Sequence, residues 1–189
     1  MPLIMITPPA VEPVTAADLA IPARLDSSEF DTHIDNVLVP TFRAEAEHRL
    51  GRRLITQTVE LVLDCFPVYQ DVDLLLPNVQ NIVSVKYLDV SGAQQVVDAG
   101  TYLLDGSSTP CWLIPVSAWP ATGNYANAVR IRYVVGYGPS GNDVPPNVRT
   151  WIIAHVIQAL DNPCGLYQNI KTIPYIDRLL DAETVLRAI

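Results

Sequence analysis

Three histidines, His33, His48 and His155, are the only imidazoles this chain offers for acid–base work or metal binding. None stands in HExxH or at another spacing that sets two ligands on one face. His155 lies inside the apolar run "WIIAHVIQAL", where a hydrogen-bonded core imidazole is the plain reading and a ligand the sharp one. Cysteine nucleophiles need a base within reach. Cys65, Cys111 and Cys164 lie far apart, and nothing local ties Cys111 to His155 as a thiolate–imidazole pair. Asp71 and Asp73 flank Val72 and share one side of a short strand. They read as a solvated face or as paired acid–base carboxylates. "GYGPSG" at 136–141 matches GxGxxG, yet Pro139 interrupts it and "NDVPP" parts it from the next helix, so it reads as a turn. No GxSxG or Walker sequence occurs. These residues assign no catalytic, cofactor-binding or metal site.

The other candidates are cations. Arg52-Arg53 and the pair Arg130 and Arg132 are the local basic clusters in a chain with only two lysines, Lys86 and Lys171. They read as solvated charges, as inter-subunit contacts to the many carboxylates, or as a small DNA footprint. The formal net charge of −8 argues against a grip on nucleic acid, which needs a basic surface. Charged residues make up 17%, below the roughly 25% of an average soluble protein. Burial against further copies of the same chain explains such a surface; polar uncharged residues are the other way to cover it.

The 189 residues suffice for one domain with a real core, or a domain with a large insertion. Three widely spaced cysteines without CxxC give no disulfide framework and fit a reducing compartment. The start "MPLIMITPPAVEP" has no basic residue before Arg24, so it does not read as a signal peptide. The uncharged stretch 106–129 carries Gly, Pro, Ser, Thr and Asn throughout and reads as loops, not as a membrane span.

Those candidates must be held by helices and strands. Residues 1–12 read as an extended, proline-rich arm, disordered or laid on a neighbour. Residues 13–53 begin a helical body. Thr15 can cap the amide of Asp18, and Asp26 with Glu29 stands at capping-box spacing before a long helix. Pro40 should kink or split that helix, and Gly51 suits its left-handed end. Residues 54–137 form a β-rich insertion that starts with a strand at Leu54. Short strands at 72–76, 82–88, 94–97, 101–104 and 111–114 follow. "AVRIRYVVGY" is the clearest strand, with Val129, Ile131, Tyr133 and Val135 on one side and Arg130 and Arg132 on the other. Residues 138–189 return to helix. A central helix begins on prolines and ends near Asp161, and a last amphipathic helix runs through "PYIDRLLDAETVLRAI". The fold class is α+β, a helical body with an inserted antiparallel β region.

The pieces "PVTAADLA", "GRRLITQTVELVLDCFP", "LLLPNVQNIVSVKYLDVSGAQQVVDAGTYLL", "SAWPATGNYANAVRIRYVVGYG" and "VPPNVRTWIIAHVIQALDNP", in this order, resemble the head–tail connector (adaptor) proteins of tailed bacteriophages. The resemblance covers about residues 13–182. It implies a structural virion protein without cofactor or catalytic residue. Its copies would form a homo-oligomeric ring, dodecameric in expectation, at the head–tail junction, after assembly in the host cytoplasm. The portal protein and a tail or nozzle protein are the implied partners. DNA would pass without sequence-specific binding, and no membrane is involved. Arg52, Arg53, Arg130 and Arg132 are the expected inter-subunit contacts. The arm 1–12 and the C-terminal "AETVLRAI" depart from the family pattern. A small ligand-binding or enzymatic α+β domain, and an unrelated oligomeric scaffold, are the alternatives.

Overall fold

Alternating residues decide the β part of the chain. The computed structural model describes residues 2–24, 27–68, 70–161 and 174–185. It divides the chain into two units, Met1–Pro9 with Thr56–Gly136, and Ala10–Ile55 with Tyr137–Ile189. The first unit holds β1 (Leu3–Thr7), β2 (Gln57–Leu63), β3 (Val72–Asp73), β4 (Val79–Leu88), β5 (Gln94–Val96), β6 (Tyr102–Asp105), β7 (Trp112–Pro115) and β8 (Val129–Val135). Five strands form an antiparallel sheet in the order β1-β2-β8-β4-β5, and three form a second in the order β3-β7-β6. Central β8 buries Val129, Ile131, Tyr133 and Val135 and turns Arg130 and Arg132 away from them. Val59 and Leu61 of β2, Val85 of β4 and Leu113 of β7 join them in one core. Each such aliphatic side chain contributes about 1.5–3 kcal/mol by leaving water. The Tyr133 hydroxyl donates to the Leu74 carbonyl, which gives its buried oxygen a partner.

The turn between β4 and β5 is built around one carboxylate. Asp89 accepts from the Ser91 hydroxyl and amide, the Ala93 amide and the Gln95 side chain. Those donors, the Ser91 hydroxyl foremost, hold its pKa down at about 2.

Residues 3–7 are extended, but their partner is within the same chain. β1 pairs antiparallel with β2, Leu3 opposite Leu61 and Met5 opposite Val59, and Leu3 packs on the β core. For residues 3–7 this replaces the expectation of an arm either disordered or laid on a neighbour. The strand foreseen from Leu54 starts at Gln57 instead. Leu54 and Ile55 are buried in the core of the helical unit.

The helical unit holds α1 (Ala16–Leu19), α2 (Asp31–His33), a π-helical segment (Ile34–Leu38), α3 (Val39–Leu50), α4 (Pro146–Asp161) and α5 (Pro174–Asp177), which runs on as a 3-10 turn (Arg178–Glu183). In α1 the Asp18 carboxylate reaches back to the Thr15 amide at 2.8 Å. The cap expected from Asp26 lies outside the described residues. The long helix is not split at Pro40; it runs on from Asp31 to Leu50 and widens into the π-helical segment just before the proline. The Val39 amide bonds Ile34 five residues back, a wide turn just before the residue that has no N–H to give. Gly51 ends α3 at φ 66° and ψ 27°, the left-handed cap. α4 supplies fully buried Val148, Trp151, Ile152 and Val156, around which Ile34, Val39, Leu50 and Leu19 pack. The last helix stops at Glu183, not at the C-terminus. Thr184 is extended and the Val185 amide bonds the Leu50 carbonyl at 3.0 Å. The loop expected up to residue 172 lies outside the described residues.

Candidate assembly surfaces

Gly51-Arg52-Arg53 marks the point where α3 must stop and hand the chain to the Leu54–Ile55 segment. The charges there are spent within the helical unit. Glu47, 3% exposed, accepts Arg53 Nη1 at 2.9 Å, Arg43 Nη1 at 3.3 Å and the Leu54 amide at 3.0 Å. Arg43 also binds Glu12 at 2.7 Å, although burial, which outweighs that arginine, pushes the Glu12 pKa up. Arg52 Nη1 donates to the Tyr137 hydroxyl at 2.6 Å and to Glu183 at 3.2 Å, and Tyr137 donates to Glu183 at 2.6 Å. Burial and then the Glu183 carboxylate push the Tyr137 phenol up to about 12, against the pull of Arg52. These contacts fasten the helix end, the strand entry and the C-terminal turn together.

The second pair sits on the face of the five-stranded sheet opposite the core. Glu60 of β2 lies in register with Arg132 of β8, and Arg130 stands two residues along. Arg130 Nη1 meets Glu60 Oε1 at 3.1 Å, and Arg132 meets Oε2 through Nη2 at 2.8 Å and Nε at 3.1 Å. Lys86 of β4 lies opposite Arg130 on the same face. Sequence spacing gave no sign of Lys86, because only the β4–β8 register brings it there. These are the only three cations between residues 56 and 136, and all share this face with one carboxylate. A groove of about 470 Å³ runs among Arg130, Arg132, Lys86 and Gln94.

The remaining chemical candidates find ordinary employment. Asp73 accepts the Leu75 amide at 2.6 Å, and Asp64 accepts the Asn127 amide at 2.8 Å. Both line a cleft of about 560 Å³ with Asp71, Cys65 and Trp112, but two of its three carboxylates are holding loops. Trp119 closes the β core nearby, stacked on Phe66 at 4.6 Å between centroids. Cys111 is fully buried in the β core and burial raises its pKa, the wrong direction for a nucleophile. Cys164 lies outside the described residues. His155 bonds the Trp151 carbonyl through Nδ1 at 2.9 Å and stacks on its indole at 3.8 Å between centroids. In "GYGPSG" the Ser140 amide is taken by Asp143 at 2.8 Å and the Asn142 amide by Ser140 at 3.3 Å. A side chain at Gly138 would collide with the Asp143 carboxylate. The turn thus presents an anion where a phosphate would have to sit. Among the described residues no helix is long and apolar enough to cross a membrane.

No family model and no curated protein matches the sequence. Solved structures do share its fold. A chain in the neck of an empty GTA particle, computed with C6 symmetry, has a TM-score of 0.83 at 17% identity, covering 100% of this chain and 98% of that one. A chain in the virion of a native gene transfer agent (GTA) particle has a TM-score of 0.78 at 18% identity over the same shares. A chain in the neck of a native GTA particle, computed with C12 symmetry, has a TM-score of 0.73 at 19% identity, again over 100% and 98%. This chain therefore shares its α+β fold with chains of those particles.

Proposed function

We propose that this chain is a structural protein of the neck of a phage-like particle, where its copies form a ring between portal and tail through which DNA passes. The observation that carries the reading is the fold match to a GTA neck chain, which leaves almost nothing of either chain unmatched. The order of sequence segments that resembles the phage adaptors supports it independently. Neck structures computed with C6 and C12 symmetry support a closed ring of identical copies, twelve being the number proposed. The net charge of −8 suits such a ring, since a strongly cationic channel would hold the phosphates that must slide through. The ring would seat on the portal protein and receive a tail or nozzle protein, in the virion and, while particles assemble, in the host cytoplasm.

Of the four arginines expected at subunit contacts, Arg130 and Arg132 are the better placed. Their side chains are 51% and 37% exposed, against 13% for Arg52 and 27% for Arg53, which are occupied within the helical unit. Deleting the coding sequence should yield DNA-filled heads and free tails that fail to join, and cryo-electron microscopy of complemented particles should find the chain in the neck. Normal joining without the chain, or particles that lack it, would sink the reading.

A further inference from the structure

Two exposed surfaces of this chain are complementary in charge and belong to different units. The face of the five-stranded sheet carries Lys86, Arg130 and Arg132 around the single carboxylate Glu60. Apolar side chains flank it. Ile4, in register with Glu60, is 43% exposed, and Val96, in register with Lys86, is 64% exposed. Lys86 makes no ion pair among the described residues, so the face keeps an excess of positive charge. The helical unit shows the reverse. Between Arg24 and Arg43 the sequence carries four carboxylates and no lysine or arginine. In that stretch Glu29 and Asp35 are exposed and Asp31 is half-buried. Two large apolar side chains stand among them, Phe30 and Val37, each 47% exposed. Asp35 is partly used by the Ala16 amide, at 2.7 Å, whereas Glu29 and Asp31 have no cationic partner among the described residues.

We infer that copies of this chain join head to tail, with the Lys86, Arg130 and Arg132 face of one against the Glu29–Val37 stretch of the next. The inference rests on the ring proposed above and names the contact that closes it. Two different patches on one chain make a heterologous interface, the type that propagates around a ring rather than stopping at a pair. Opposite charges steer and register such a contact, and the apolar residues beside them supply the area to be dried. In a chain this acidic, like charges would otherwise hold copies apart, and the lone cationic face of the β unit offsets that repulsion.

The test uses the full chain and reads particle mass by sedimentation and native mass spectrometry, at low and at raised salt. Lys86→Glu is the first variant, because it reverses a charge without unpairing Glu60, and its thermal melt should match the wild type. The wild type should assemble, and the variant should need about tenfold or more protein to do so. The double change Glu29→Lys with Asp31→Lys should weaken assembly likewise, and all three changes in one chain should restore it. Raised salt should weaken the wild-type ring. A wild type that stays monomeric even with purified neck partners removes the ring and the inference together. A wild-type ring that Lys86→Glu leaves unchanged, or that the triple variant fails to restore, overturns the inference alone. So does a ring insensitive to Lys86→Glu whose retention of duplex DNA is lost, since that face would then be taking phosphate.

Discussion

Arg132 stands directly across the β2–β8 ladder from Glu60 and closes on one carboxylate oxygen with two hydrogen bonds, at 2.8 and 3.1 Å. The Glu60 side chain is 8% exposed while that of Arg132 still reaches water. The buried anion therefore fixes where the cation points and leaves it free to meet something else. Arg132→Ala should cost about 1–3 kcal/mol in urea unfolding, the range for charge-assisted hydrogen bonds on a partly screened pair. Arg130→Ala, which removes one contact of 3.1 Å, should cost less. The two together should cost more than their sum, because Glu60 is then buried with no counter-charge. Additive losses would show that Glu60 relaxes into solvent.

Trp151 is fully buried in the helical core, edge-on to Phe42 and stacked on His155. Trp151→Ala should cost about 3–5 kcal/mol, a large part of a typical domain's stability. A thermal melt shifted by only a degree or two would contradict the packing described.

Gly51 carries the backbone into the left-handed region at the end of α3. An added Cβ would lie 3.7 Å from Val185 Cβ, an ordinary contact, so the cost of Gly51→Ala is conformational. It should be about 1–2 kcal/mol, with Gly51→Asn losing less. Equal losses from both would point to crowding by the C-terminal segment instead.

Tyr137 keeps its proton to about pH 12, while an unfolded chain releases it near 10. The raised folded value means that its contribution is fully present below pH 10 and is lost as pH climbs from about 10 to 12. Ultraviolet titration should show a late phenol that disappears in Tyr137→Phe. The alkaline fall in stability between those limits should be shallower in that variant. If Tyr137→Phe removes only a phenol that titrates in the ordinary range, the contact with Glu183 is refuted.

Removing residues 2–7 should lower the melting temperature of the isolated chain by several degrees, since Leu3 leaves the core and β2 loses a neighbour. An unchanged melt would return the segment to the role of an arm ordered by other subunits.

Local pattern determined much of this protein. The alternation in residues 129–135 gives a half-buried strand because successive side chains must take opposite faces. Pro40 widens the helix before it and Gly51 ends it, because one lacks a donor and the other tolerates a positive φ. The apolar run of α4 made that helix central, and the missing metal and nucleophile spacings left the arginines as the residues to watch. What lies far apart in the chain was decided only by folding. Nothing in "LIMIT" names β2 as its partner, because an uncharged apolar strand fits many edges equally. The amphipathic pattern continues past Glu183, but the Leu50 carbonyl, left open at the end of α3, takes the Val185 amide and draws the chain out of helix. Glu47 and Glu60 look like any other carboxylates until burial gives each two arginines. Lys86 joins Arg130 because β4 pairs with β8. A sequence fixes the side on which a residue stands in its own strand, whereas its neighbour across the ladder depends on a register set by the whole core.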